Sequence, residues 1–415
     1  MQPRESLGVV KHLSLASFWF GLNFHWTPIL GILVAARVSE LLSGSQAILA
    51  TAILFGGGAV FAMVLPPAVG FYSDRLTTRF GRRRPIMAIG TAGNIIGLLL
   101  MTVAPNFALF LVAYLIVQIF NNSAGAAFNG VIPDVVPKPE FGKASGFLGG
   151  LYQVGGVAGL IVTLLMEKAG LRNLTFVLIA VVLGLSLLPT LWAARGEGLV
   201  PIPRKPRQPF KAAAYAFFRP LWDGDFGWVV FTRLLITGGI WLIYPFVFFF
   251  FRDVVKAPNA DQFTTFWQLL LVAAAIPLGV AGGWLSDRIG RKIFVYASGA
   301  LQSLVVVLFI VLYPTSTLFV LALGVIYGVG YGLYYAVDWA LACDTLPNAE
   351  ETAKDMGLFH VAVTLPQVLL PSIAGFVLFA LNRQSPNSGY RVVFAGAIVF
   401  YLLGTVLVSR IKSVR

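Results

Sequence analysis

The sequence predicts an all-α membrane protein with twelve transmembrane helices in two six-helix, pseudo-symmetric halves and with both termini in the cytoplasm. Three observations support this fold class: an apolar composition, about twelve long apolar runs, and basic residues that alternate between successive connections. Of the 415 residues, 58% are hydrophobic and 11% are charged, whereas a soluble globular protein carries about 25% charged residues. This composition excludes an ordinary cytosolic enzyme, a disordered chain and a secreted disulfide scaffold.

The apolar runs are each long enough to cross a hydrocarbon layer of about 30 Å. In chain order, we predict spans one to twelve at 11–38, 45–73, 85–104, 106–133, 143–167, 172–194, 226–251, 263–286, 292–312, 316–343, 354–382 and 388–409. The 43 Gly and 23 Pro fit helices that pack closely and bend in lipid. The first run is long and has no evident small-residue cleavage site, so we expect no cleaved signal peptide.

The basic residues give the spans an orientation. The N-terminus, the even-to-odd connections and the C-terminus hold 22 of the 30 Lys and Arg, the opposite side holds 7, and Arg233 lies inside a span. This pattern follows the positive-inside rule, which places both termini in the cytoplasm. It also accounts for the net charge of +13 without a nucleic-acid partner. We therefore expect a multi-pass integral protein of the plasma (inner) membrane, with the lipid bilayer as its surroundings.

A polar stretch at 195–225 separates six spans from six spans. It predicts an N-terminal half at 1–194, a cytoplasmic linker at 195–225 and a C-terminal half at 226–415. The halves resemble each other, because Asp74 and Asp287 follow spans two and eight at an offset of 213 residues, and Asp134 and Asp344 end spans four and ten at an offset of 210. Two parallel repeats of six spans are typical of transporters with a substrate site at the repeat interface.

The loop after span two reads DRLTTRFGRRRP from Asp74 to Pro85, and a shorter copy, DRIGRK, follows span eight. An Asp at a helix end can bond exposed backbone N–H groups or pair with Arg across the loop, and Gly permits a tight turn. One interpretation is plain positive-inside loop charge, which a single Arg cluster would fit. Because the motif occurs twice, we instead predict a conformational latch formed by Asp74, Arg75, Arg79, Gly81, Arg82, Asp287, Arg288, Gly290 and Arg291.

These two loops resemble the loop signature of the major facilitator superfamily, and the resemblance covers essentially the whole chain. Within that superfamily, the segments 79–85 and 132–137 and the sequence Leu365-Pro366-Gln367 look like the sucrose–proton and glycoside–cation symporters. The resemblance implies symport of a sugar or glycoside, sucrose- or maltose-like, with a proton by alternating access. It also implies that spans one, four, seven and ten line a central cavity, and that a monomer can work alone.

Three ionisable residues lie inside spans of the C-terminal half at a similar depth, about 10 Å from the cytoplasmic edge. They are Arg233, Asp338 and His360. A charge near the bilayer centre costs about 2.5–3.5 kcal/mol or more, so each one needs a reason. We predict that Arg233 pairs with Asp338, that Asp338 carries the proton, and that His360 tunes it, since the ordinary pKa of histidine is near ambient pH. The alternatives are a permanent structural ion pair, or residues that do not meet.

Span ten also carries three tyrosines on the helix face of Asp338, at Tyr331, Tyr334 and Tyr335. Aromatic rings with hydroxyl groups suit a sugar, and an interfacial aromatic belt is the alternative. Polar and aromatic positions in other spans add further predicted substrate contacts, for which helix–helix hydrogen bonding is the alternative. These are Asn23, His25, Trp26, Asn122, Asn129, Gln153, Trp241, Tyr244, Gln268 and Gln367.

Signatures of other chemistry are missing from the sequence. It has no phosphate-binding Walker loop and no nucleophile elbow, and its three His and single Cys343 make no recognisable metal cluster or internal disulfide. We therefore expect no enzymatic activity, no cofactor and no metal; the expected partners are a small-molecule substrate and H⁺. Two other functions stay open: export of amphipathic small molecules, and a non-transporting role as a membrane assembly factor or receptor.

Overall fold

The computed structural model of the chain describes residues 7–73, 75–76, 78–137, 140–195, 215, 218–222, 224–347 and 352–414. All regular structure in these residues is helical, and twelve long helices correspond to the twelve predicted spans. Spans one to six are Val9–Leu41, Gly44–Ser73, Arg84–Val103, Phe107–Val135, Phe141–Lys168 and Leu174–Ala193. Spans seven to twelve are Gly224–Val255, Ala260–Ile289, Arg291–Leu312, Thr317–Asp344, Thr352–Gln384 and Ser388–Arg410.

The predicted all-α membrane fold class is confirmed. In the described part of the chain, eleven of the twelve helices are long and apolar enough to cross a membrane. Span eight, Ala260–Ile289, is equally long, but several side chains in its second half lie outside the described residues.

The chain divides into two compact units. The first comprises Met1–Ser43 and Ile53–Arg204, and the second comprises Gly44–Ala52 and Lys205–Arg415. Within the first unit, span one packs on spans five and six, and span three packs on spans four and six. Within the second unit, span ten packs on spans eight and nine, and span seven packs on spans eleven and twelve.

Glycines bring spans one and five into backbone contact. A Cβ atom at Gly155 would lie 2.2 Å from the Phe20 carbonyl oxygen, and one at Gly159 would lie 2.6 Å from that of Phe24. Glycines one turn apart are a common means of close helix packing in membranes. Pro28 has no N–H, so the Phe24 carbonyl lacks its usual partner within the helix and instead faces Gly159.

Prolines interrupt the backbone hydrogen bonds of spans one, seven and eleven. In span one, Pro28 precedes a π-helical turn at Ile29–Leu33, and in span seven a 3₁₀ turn at Tyr244–Phe246 contains Pro245. In span eleven, Pro366 leaves the Ala362 carbonyl without an N–H partner. The hydroxyl of Thr237 in span seven donates to this oxygen at 2.8 Å. A side chain thus satisfies the backbone group that proline leaves open, as buried helices in lipid require.

Candidate functional site

The centre of the candidate site is an ion pair in the second unit. An Nη atom of Arg233 in span seven lies 3.1 Å from an Oδ atom of Asp338 in span ten. The two side chains are 11% and 7% exposed, so both charges are largely withdrawn from solvent. Each charge offsets the desolvation cost of the other, and removing one would leave the other buried and unpaired. The structure therefore brings together the two residues that the sequence placed at one depth.

Two further side chains complete the surroundings of the pair. The guanidinium group of Arg233 stacks over the ring of Phe359 at 3.5 Å, and Tyr334 lies one helical turn before Asp338 on span ten. Tyr334 is 3% exposed and Phe359 is 1% exposed. The sequence analysis missed Phe359, because a cation–π contact depends on how two helices face each other. It predicted Tyr334 as a substrate contact, and in the structure this side chain is buried.

His360 follows Phe359, the residue whose ring Arg233 contacts, in span eleven. It lies within electrostatic range of Arg233, and its side chain is exposed. A histidine in this position can exchange protons with the surroundings, whereas the enclosed Asp338 has no such direct access. Arg233, Asp338 and His360 thus form one group of titratable and charged side chains.

Beside the ion pair lies an aromatic face on span ten. The rings of Tyr331 and Tyr335 stack with centroids 4.5 Å apart, and the ring of Tyr334 meets Tyr335 edge-on at 5.4 Å. Tyr335 is 40% exposed and Trp339 is 63% exposed. We call Tyr331, Tyr335 and Trp339 the aromatic face; it presents ring surfaces and hydroxyl groups, which suit the C–H and O–H groups of a sugar.

The other predicted contacts in the second unit differ in exposure. Trp241 and Tyr244 in span seven meet edge-on with ring centroids 5.8 Å apart, and both are half-buried. Gln367 in span eleven is also half-buried. Gln268 is 2% exposed and lies in the packed interior. Its amide is therefore enclosed in this structure.

In the first unit, two predicted contacts in span one are engaged in packing. The Asn23 amide donates to the Tyr152 carbonyl in span five at 2.7 Å and accepts from the Thr27 hydroxyl at 2.9 Å. His25 is fully buried beside Asn94 and meets the half-buried Trp26 edge-on at 4.5 Å. The enclosed positions of Asn23 and His25 correspond to the helix–helix alternative that the sequence left open.

Three predicted contacts of the first unit are more accessible. Asn129 in span four and Gln153 in span five are exposed, and Asn122 is half-buried. The Asn122 amide donates to the backbone and side-chain oxygens of Gln118 at 2.7 and 2.9 Å, which leaves its own oxygen to accept. These amides could bind sugar hydroxyls.

The predicted latch residues are only partly described. Asp74 lies outside the described residues, as does the side chain of Asp287. Gly81 and Gly290 have φ of 96° and 110°, the region that favours glycine. Arg75 donates to the Phe71 carbonyl at 2.8 Å, and Arg79 lies over the Phe80 ring at 4.6 Å; like Arg288, both are exposed.

Loop arginines pair with aspartates at the ends of other spans. Arg82 makes two hydrogen bonds to Asp134 at the end of span four, at 2.7 and 3.1 Å, and Arg83 adds a third at 3.2 Å. In the second unit, Arg291 pairs with Asp344 at the end of span ten, at 2.9 Å. The sequence analysis did not assign these carboxylates to the latch, although the repetition of Asp134 and Asp344 signals a shared role.

No metal site accompanies this geometry: in the residues that the structure describes, no group of three or more His, Cys, Asp or Glu could hold a metal ion. The Asp338 carboxylate and the His360 imidazole are groups that can bind protons, and the aromatic face offers rings and hydroxyl groups.

Comparisons with known proteins identify the family and the fold. The model of the Major Facilitator Superfamily matches residues 13–350 and 267–414. Among solved structures, a bacterial homolog of the human lysosomal transporter Spinster, in an inward-facing and unoccupied conformation, superposes with a TM-score of 0.74. The superposition covers 98% of each chain at 14% identity, so this likeness concerns the fold.

Two curated relatives match shorter segments. A general alpha-glucoside permease of Schizosaccharomyces pombe is 26% identical over 127 residues, which are 27% of this chain and 23% of the permease. A Na(+), Li(+), K(+)/H(+) antiporter of Planococcus maritimus is 25% identical over 179 residues, 42% of this chain and 39% of the antiporter. The chain thus matches less than half the length of each curated relative.

Proposed function

The chain belongs to the major facilitator superfamily, and from this premise we propose that it is a secondary active transporter that moves a sugar or glycoside together with H⁺ by alternating access. Family and fold are those of multi-pass membrane transporters and not of enzymes. One observation carries the finer proposal: the buried Arg233–Asp338 pair lies beside an exposed face of tyrosines.

The ion pair offers a means of coupling proton and substrate. With Asp338 ionised, the two charges neutralise each other. With Asp338 protonated, Arg233 keeps its charge and loses the opposite charge beside it, so a substrate oxygen becomes a stronger competitor for its N–H groups. A sugar hydroxyl that accepts from Arg233 therefore stabilises the protonated state, and by linkage a proton on Asp338 favours sugar binding. His360 would exchange the proton with the surroundings.

The proposed substrate is a neutral, sucrose- or maltose-like glycoside. The Arg–Asp pair has no net charge with which to hold an ion, and the accessible groups are rings, hydroxyls and amides. The similarity to an alpha-glucoside permease supports this class. The proposed contacts are Trp26, Asn122, Asn129, Gln153, Trp241, Tyr244, Tyr331, Tyr335 and Gln367. The loop ion pairs of Asp134 and Asp344 join the proposed latch.

A second candidate is cation–proton antiport, which the similarity to a Na(+), Li(+), K(+)/H(+) antiporter favours. In that case Asp338 would bind a cation and a proton in alternation. Arg233 opposes this assignment, because its guanidinium group already occupies one side of the carboxylate.

Uptake into liposomes that contain the purified protein tests the proposal. We expect labelled sucrose or maltose to accumulate under an inward proton gradient, and Asp338→Asn to abolish accumulation while exchange without a gradient persists in part. An amide cannot release a proton, so coupling through Asp338 would end.

Accumulation that is unchanged in Asp338→Asn would exclude Asp338 as the coupling group. Sodium- or potassium-driven proton movement without sugar flux would favour the antiporter. Absence of all sugar flux in folded protein would contradict sugar transport. It would favour export of amphipathic small molecules or a non-transporting role as an assembly factor or receptor.

A further inference from the structure

Phe359 in span eleven contacts both the ion pair and the aromatic face. The guanidinium carbon of Arg233 lies 3.5 Å from the centroid of its ring, and the same arginine lies 3.1 Å from Asp338. The ring of Trp339, which follows Asp338 in span ten, meets Phe359 edge-on at a centroid distance of 6.4 Å. Phe359 is 1% exposed, whereas Trp339 is 63% exposed. Phe359 is therefore a buried ring in contact with an exposed tryptophan and a buried cation.

The two partners of Arg233 respond differently to a proton on Asp338. The attraction between the guanidinium and the carboxylate depends on a negative charge that protonation removes. The attraction to the Phe359 ring comes from the quadrupole of the ring, which does not titrate. Arg233 itself keeps its charge at all working pH values. In the described part of the chain, Phe359 is thus the contact that still attracts the guanidinium group once Asp338 is protonated.

The ring holds the guanidinium group without using its hydrogen-bond donors. A guanidinium carries five N–H groups in its plane, and contact with the face of a ring occupies none of them. The Nε–H of Arg233 is buried and, among the described residues, has no hydrogen-bond partner. Because cation–π attraction does not prescribe where each N–H points, the guanidinium can turn over the ring from Asp338 toward a substrate oxygen.

Without the ring, little would keep Arg233 inside the membrane after Asp338 is protonated. Arg233 lies about 10 Å from the cytoplasmic edge, and a long basic side chain at such a depth extends its charge toward water where it can. A sugar would then have to draw the arginine back before it could bind. Loss of the ring should therefore weaken sugar binding mainly in the protonated state.

Other charged and titratable groups near the pair are few in the described part of the chain. His360 follows Phe359, and the buried Asp355 lies one turn before Phe359 on span eleven. Tyr334 lies one turn before Asp338 on span ten. The remaining charged residues of spans seven, eight and nine lie in the first or last turns of these helices. Of these groups, histidine titrates nearest to ambient pH, so the test has to separate His360 from Asp338.

We propose that Phe359 is a positioning residue whose ring keeps Arg233 beside Asp338 when that carboxylate binds a proton, so that the guanidinium group can bind a sugar hydroxyl. This inference rests on the proposed proton-coupled transport of a sugar. The edge contact with Trp339 places the same ring against the aromatic face, on which the sugar rings would pack. Phe359 thereby holds the cation next to the surface that receives the sugar.

Equilibrium binding of labelled sucrose to the purified protein in detergent, at one acidic and one alkaline pH, tests the inference. Phe359→Leu keeps an apolar side chain but has no ring quadrupole. We expect it to raise the Kd for sucrose roughly tenfold at acidic pH and to change it little at alkaline pH. Phe359→Met, a flexible side chain without a ring, should repeat this result, and Phe359→Tyr, which keeps the ring, should restore most of the affinity at acidic pH.

Two further variants assign the effect. Asp338→Asn fixes an uncharged side chain at every pH, so Phe359→Leu in this background should weaken sucrose binding roughly tenfold at both pH values; a loss that still followed pH would point to His360. Phe309→Leu in span nine is the matched control, because this ring is also 1% exposed but packs on the rings of Phe250 and Phe394 at 5.2 and 6.5 Å.

Equal changes of Kd at both pH values in Phe359→Leu, or equal changes in Phe359→Leu and Phe309→Leu, would show a general packing role and overturn the inference. Unchanged binding in both ringless variants at acidic pH would do the same. Absent or pH-independent sucrose binding in the parent protein would instead overturn the proposed function, so the two failures are distinguishable.

Discussion

Arg233 is held on two sides inside the second unit, by the Asp338 carboxylate at 3.1 Å and by the Phe359 ring at 3.5 Å. The carboxylate satisfies its charge, and the ring lets the flat guanidinium group lie against an apolar surface with little hydration. Both contacts depend on the rotation of span seven about its axis, because Asp338 lies on span ten and Phe359 on span eleven.

The burial of this ion pair predicts that removing one of its two charges destabilises the protein. Arg233→Gln should lower the free energy of unfolding by about 3–5 kcal/mol, because it leaves an uncompensated charge on the buried Asp338. The double variant Arg233→Gln with Asp338→Asn should recover much of this loss, since no charge remains.

Thermal unfolding of purified protein in detergent measures both variants, with Asp338→Asn alone completing the cycle. A double variant that is no more stable than Arg233→Gln would show that the two side chains do not depend on each other.

At the scale of helices, two features set the contacts between spans. They are glycines and backbone carbonyl groups that have no N–H partner because a proline follows four residues later. Gly155 and Gly159 of span five meet the backbone of span one, and Thr237 of span seven binds the carbonyl that Pro366 leaves open in span eleven. Spans four and ten both begin with a side-chain N-cap. The side chains of Asn106 and Ser316 each accept a hydrogen bond from the backbone N–H three residues later. These caps are 210 residues apart and support the internal repeat.

The contact of Gly155 with span one predicts that glycine-to-alanine substitutions at two positions of span five have opposite effects on stability. Gly155→Ala should destabilise the protein by about 1–3 kcal/mol, because the new methyl group overlaps the Phe20 carbonyl and the helices must separate. Gly150→Ala should be neutral or stabilising, because no atom lies within 4 Å of the new Cβ and alanine favours helix.

Unfolding midpoints of the two alanine variants, recorded side by side with the parent protein, provide the measurement. Equal stability of both variants would mean that spans one and five do not pack through Gly155.

At the scale of the whole molecule, the distribution of basic residues sets the orientation in the membrane. Cys343 is exposed near the end of span ten, beside Asp344. The positive-inside rule places this end at the cytoplasmic surface.

A membrane-impermeant maleimide should label Cys343 in inside-out vesicles and leave it unlabelled in right-side-out vesicles. Ser385→Cys, in a Cys343→Ser background, should show the reverse pattern, because Ser385 is exposed in the turn between spans eleven and twelve. Cys343→Ser alone is the blank. Labelling of Cys343 from the outer face would contradict the predicted orientation.

The sequence by itself determined the number, order and approximate bounds of the helices. Each apolar run has to satisfy its own backbone hydrogen bonds in lipid, so length and composition predict a spanning helix without knowledge of its neighbours. The family resemblance also followed from the sequence, since a loop motif is a local pattern. The depth of Arg233 and Asp338 along their helices followed from counting residues from each span's end.

Only the tertiary structure decided which side chains meet. Asn23 and His25 have the polarity of ligand contacts, yet packing encloses them. Tyr334 and Tyr335 are adjacent in sequence, yet Tyr334 is buried and Tyr335 is exposed. Likewise, Arg82 and Arg291 pair with aspartates of distant spans. The rotation of each helix about its axis sets these contacts, and that rotation depends on close packing against every neighbour, which no single span encodes.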